Sequence, residues 1–155
     1  MNRQPRRLLS AASGAVMIAV MIAVMVRRAQ AQAAFATPPI NLLYQNFPNP
    51  FPSPTAPITC IWFDLAQSST GVAVAIYDLR GRLVRTIVPS AGVGSTLPAG
   101  YYGRNGNGPA AAGCDPRLTW DGRGSDGVIV PAGVYLLRLH VDDAWQTKKM
   151  IFRGP

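Results

Sequence analysis

Cys60 and Cys114 are the only cysteines in the sequence and offer its clearest covalent chemistry. In an oxidising compartment they form a disulfide closing a loop of about 55 residues, worth about 3–4 kcal/mol in the chain-entropy picture. In a reducing one they remain two unpaired thiols. Cys60 shares the outward row of its apolar run with Trp62, so a bridge to Cys114 would staple the intervening loop over that face and cover the indole. Tyr101 and Tyr102, followed by Asn105 and Asn107, make a candidate ligand loop. Aromatic faces stack on pyranose rings, and amides serve hydroxyls.

Other residues resist a chemical reading. Asp121-Gly122-Arg123-Gly124-Ser125-Asp126-Gly127 looks like a calcium loop, but it lacks the acid spacing and the closing Glu, a residue type this chain does not contain. It reads instead as two Asx turns. His140, the only histidine, alternates with Arg138 on an outward row and reads as a solvated side chain. No Gly-x-Ser-x-Gly elbow supplies a nucleophile. Asp64, Asp78, Asp121 and Asp126 fall at strand ends or turns rather than as a carboxylate pair for hydrolysis. The expectation is a protein that is not an enzyme, with no cofactor and no metal.

The elements that position these residues are short apolar runs between turn signals. Residues 58–65 alternate, with Ile61, Phe63 and Leu65 on one face and Cys60, Trp62 and Asp64 on the other. Val72, Val74 and Ile76 form the next inward row. Asp78-Leu79-Arg80-Gly81-Arg82 predicts a hairpin turn, leading into a strand at 83–88. Leu118 and Trp120 mark another strand. Residues 133–141 place Tyr135, Leu137, Leu139 and Val141 on one face, and 145–152 return after Asp142-Asp143 with Met150 and Phe152 inward. No window after residue 34 has a helical period. About seven short strands with Gly, Pro and Asp turns predict an all-β antiparallel sandwich.

Two segments depart from this pattern. Residues 45–54 hold four prolines, which cannot donate to a ladder, and predict an extended edge segment whose Phe47 and Phe51 plug the core. Residues 89–116 are rich in Gly, Ala, Asn and Pro and predict an elaborated, inserted loop.

The chain has 155 residues, 48% hydrophobic and 14% charged, which fits one domain and a tail. The net charge of +8 includes Arg3, Arg6, Arg7, Arg27 and Arg28; the rest carries ten basic and seven acidic side chains, too balanced for a nucleic-acid footprint. Arg3, Arg6 and Arg7 precede 19 residues, 8–26, interrupted only by Ser10, Ser13 and Gly14. Ala29-Gln30-Ala31 then supplies a small-x-small cleavage pattern. Residues 1–31 thus predict a hydrophobic helix serving as a signal peptide, or as a membrane anchor if uncleaved, and residues 32–40 a linker. On either reading the remainder lies outside the cytoplasm, in the periplasm, at the surface or in the medium.

Five motifs then occur in order: Tyr44-Gln45-Asn46-Phe47-Pro48-Asn49-Pro50-Phe51, Ile76-Tyr77-Asp78-Leu79-Arg80-Gly81-Arg82-Leu83-Val84, Leu118-Thr119-Trp120-Asp121-Gly122-Arg123, Pro131-Ala132-Gly133-Val134-Tyr135 and Lys148-Lys149-Met150. Together they resemble the immunoglobulin-like domain named after the flagellar hook-capping protein, and are similar to the C-terminal sorting domains of type IX secretion cargo. The resemblance covers residues 41–153. It implies an immunoglobulin-like sandwich, a protein partner or secretion machinery at the cell envelope, and a sorting segment at Lys148-Lys149-Met150-Ile151-Phe152-Arg153. Here the domain follows the predicted cleavage site without a passenger, and residues 103–116 separate motifs that are neighbours in the family. A carbohydrate-binding or adhesion module using Tyr101 and Tyr102 is the alternative reading.

Overall fold

The computed structural model describes residues 37–90, 92–105 and 113–155. The expected helix of residues 1–31, most of the linker and Asn107 lie outside the described residues. Alternation sets the elements. The strand Gly133–Val141 buries every second residue, Tyr135, Leu137, Leu139 and Val141, as period two requires when one face meets a core. Nine strands are described: β1 Leu42–Leu43, β2 Thr59–Cys60, β3 Phe63–Leu65, β4 Ala73–Asp78, β5 Leu83–Val88, β6 Gly100–Tyr102, β7 Thr119–Trp120, β8 Gly133–Val141 and β9 Ala144–Phe152.

All pairings between these strands are antiparallel. One sheet has the order β5-β4-β8-β9, a second β1-β3-β6, and β2 pairs with β7. Leu43, Phe63 and Leu65 of the three-stranded sheet share one core with Val74, Ile76, Leu137, Leu139 and Met150 of the four-stranded sheet and with Trp120 of β7. This is the layering of a β-sandwich. No helix among the described residues is long and apolar enough to cross a membrane.

The predicted hairpin is present. Asp78 Oδ1 accepts from the backbone N–H of Arg80 and of Arg82, and Gly81 takes a positive φ of 77°. The other expected turns also hold: Asp121 and Asp126 each accept from the backbone two residues on.

Three expectations need correction. The proline-rich segment does run along an edge, and Phe51 is fully buried, but Phe47 is 68% exposed. Phe47 bridges Cys60 directly, and residues opposite each other in a ladder share a face, so the outward Cys60 row carries Phe47 outward. The stretch 89–116 is only partly loop. β6 pairs with β3, Leu97 bridges Ser69, and Val93 and Leu97 join the core. Its glycines and prolines hid a strand too short to show a period. Lastly, Asp64 falls at the middle of β3 rather than at a strand end or turn, and it is 4% exposed.

Candidate functional site

One end of the sandwich is assembled almost wholly by side chains. Cys60 and Cys114 are joined in a disulfide, with Cα atoms 5.5 Å apart, so the loop is stapled to β2 as the sequence suggested. Beside the staple, Arg104 Nη1 donates to Asp64 Oδ1 at 2.7 Å, both side chains about 95% buried. The Tyr44 hydroxyl donates to Asp64 Oδ2 at 2.6 Å. The guanidinium carbon of Arg104 lies 4.6 Å from the Tyr44 ring centroid, 5.4 Å from Trp62 and 5.7 Å from Tyr101. Three rings and one carboxylate thus enclose one cation. Their π faces and the ion pair offset its lost hydration. The bond to Asp64, followed by burial, holds the Tyr44 phenol above its usual pKa.

Gly103 makes this closure feasible. Its φ is +86°, and a Cβ there would run into the Ile61 carbonyl and the Trp62 ring. The Trp62 indole N–H is buried with no partner among the described residues. Trp62 is half-buried, with the Arg104 guanidinium 5.4 Å from its ring centroid.

Tyr101 and Tyr102 separate onto opposite faces of β6. Tyr101 pairs with Asp64 and turns outward to Arg104, whereas Tyr102 pairs with Phe63 and stacks on it, with centroids 4.8 Å apart and planes 8° apart. The Tyr102 hydroxyl donates to Pro98 O at 2.7 Å, and burial raises its pKa. Only Tyr101 therefore faces outward with its ring. Both border a cleft of about 530 Å³ with Gly103, Arg104, Asn105, Asp115, Pro116 and Arg117. Arg117 closes one wall by a bidentate bond to Asp115, which lowers the Asp115 carboxyl pKa.

The predicted sorting segment takes in the second half of the edge strand β9 and Arg153 after it. Met150 and Phe152 are core residues, Lys149 and Arg153 are exposed, and Lys148 and Ile151 are half-buried. The free edge of β9 is covered from Lys149 onward. Asn49 Nδ2 and Gln45 Nε2 donate to Lys149 O, Asn49 Oδ1 accepts from Ile151 N, and Phe51 exchanges backbone bonds with Ile151 and Arg153. A side-chain amide stands in for a neighbouring strand where proline cannot, which protects the edge.

Sequence reasoning missed Arg104, Gln45 and Asn49. For Arg104 a signal existed: a lone basic residue inside a Gly/Asn loop next to two tyrosines. His140 is placed on the outward face as expected, but it stacks on Trp145 with ring centroids 4.1 Å apart.

No family model and no curated protein matches this chain. Among solved structures it is similar to PorZ, an essential bacterial surface component of the type IX secretion system of the human oral-microbiomic Porphyromonas gingivalis. Identity is 21%, with 71% of this chain covered and a TM-score of 0.40. This chain spans 11% of that protein.

Proposed function

We propose that the protein is an exported, non-catalytic immunoglobulin-like module of the hook-capping and type IX sorting class, working in attachment or sorting at the cell envelope through a protein partner. The observation that carries the reading is the treatment of β9. From Lys149 to Arg153 its outer backbone is bonded by Gln45, Asn49 and Phe51, so along that stretch a partner would read side chains rather than add a strand. Lys149 and Arg153 stand exposed on that rigid support. The Cys60–Cys114 disulfide supports an oxidising compartment.

The test is a triple substitution, Lys148→Gln, Lys149→Gln and Arg153→Gln, in the full chain expressed in its own cell. These side chains lie outside the core, so the melting temperature should hold while surface display falls. Unchanged display would remove sorting and leave attachment.

The second reading, a carbohydrate-binding or adhesion module, draws on the 530 Å³ cleft beside Tyr101. Glycan binding that disappears in Tyr101→Ala with the fold intact would favour it.

A further inference from the structure

We propose that the outward face of the four-stranded sheet binds an acidic polysaccharide, a uronate-bearing chain, through Arg138 and Trp145. Three cross-strand rows build this face: Tyr77, Leu136 and Lys149; Ala75, Arg138 and Thr147; Ala73, His140 and Trp145. They alternate with the buried residues of the same strands, so they point away from the core.

At the centre, the guanidinium carbon of Arg138 lies 4.5 Å from the Trp145 ring centroid and 5.4 Å from that of Tyr77. The rings hold its orientation, so little freedom is lost when it meets an anion. No carboxylate among the described residues pairs with it. Trp145 is 51% exposed although His140 stacks on it, an unusual position for the largest aromatic side chain.

The charge distribution selects the ligand. Asp64, Asp78, Asp115 and Asp121 are each matched to an arginine. Of the cations left without a carboxylate among the described residues, Arg138 and Lys149 stand on this face and Arg153 follows β9 directly, whereas Lys148 and Arg85 lie opposite the buried Leu137 and Ile76 on the inward row. Asp142 and Asp143 mark one end, at the β8–β9 turn, and would direct a polyanion from there toward Lys149.

The shape selects a polysaccharide over a protein. A protein partner concentrates its energy in anchors that fill pockets. This face instead raises rings beside two small residues, the partly exposed Ala73 and the covered Ala75. A uronate chain supplies pyranose C–H faces for the exposed ring surface, carboxylates for Arg138 and hydroxyls for Thr147 and His140.

The experiment is affinity electrophoresis of the full chain in gels containing polygalacturonate, neutral dextran or polyglutamate. Polygalacturonate alone should retard the protein. Trp145→Thr and Arg138→Gln should each weaken that retardation about tenfold, as loss of an aromatic or cation–π contact implies. Arg138→Lys keeps the charge without the planar stack and should fall between. Arg80→Gln should bind as the parent does, and all four variants should keep the parent melting temperature within a few degrees. Equal retardation by dextran, stronger retardation by polyglutamate, no retardation at all, or an Arg80→Gln loss as large as that of Arg138→Gln would each overturn the proposal. Failure here leaves the sorting reading untouched, because that is scored by surface display.

Discussion

The two layers of the sandwich are held together by different means. In the four-stranded sheet, β8 and β9 pair over nine residues each, and β4 pairs with β8 over six. The backbone there does the joining, and outward side chains such as Arg138, Trp145 and Lys149 are not needed to hold the strands together. In the opposite layer the strands are two or three residues long. Such short ladders do not hold by themselves. That layer depends on the Cys60–Cys114 bridge, the enclosed Arg104–Asp64 pair and the Tyr102–Phe63 stack. Long ladders leave side chains free, whereas short ones consume them.

Removing residues 148–155 should break the comparison outright, because it strips the second half of β9 and two core side chains. Losing Met150 and Phe152 alone approaches the whole stability of a domain, since each large-to-small core change costs about 2–5 kcal/mol against a total of about 5–15 kcal/mol. Circular dichroism should show no folded product. A truncated chain that still melts cooperatively would mean the four-stranded sheet is not the scaffold.

Next in size is Arg104→Met, which leaves Asp64 buried and uncompensated. A destabilisation of about 3–5 kcal/mol is expected in urea, while the double variant Arg104→Met with Asp64→Leu should recover most of it. Equal losses in both would show that the aromatic enclosure, not the ion pair, organises the layer.

Reducing the disulfide should lower stability by about 3–4 kcal/mol. Hydrogen exchange should rise first at β2, β7 and the stapled loop, leaving β8 and β9 protected. Uniform loss of protection would erase the distinction between the layers.

The smallest effect is on pH dependence. Tyr44 is held above the ordinary phenol pKa by its bond to Asp64, Tyr102 by burial, and Tyr135 by burial and then by Asp78. A phenol whose folded pKa is raised contributes fully below about pH 10, and that contribution is lost as pH climbs through the folded value. Two of the three lie in the short-stranded layer, so alkali should loosen that layer first, seen as tyrosinate absorbance rising together with exchange there. In acid the sign reverses. The backbone N–H of Arg82 lowers Asp78, and the Arg117 side chain lowers Asp115, so their contribution is present above about pH 4 and lost as pH falls.

What the residues announced in advance was local. Inward rows such as Val72, Val74 and Ile76, the Asp78–Arg82 turn and the β8–β9 return all follow from period two and turn chemistry, which act over a few residues. The cysteine pair was also legible, because two cysteines allow one pairing. Tertiary structure alone decided the rest. Arg104 meets Asp64 across 40 residues, and Asn49 covers β9 across about 100. No local pattern encodes such a meeting, because each partner is an ordinary polar residue until folding brings the other to it. Phe47 makes the same point in reverse: its apolar ring predicts burial, yet its bridge to the outward Cys60 row turns it to solvent.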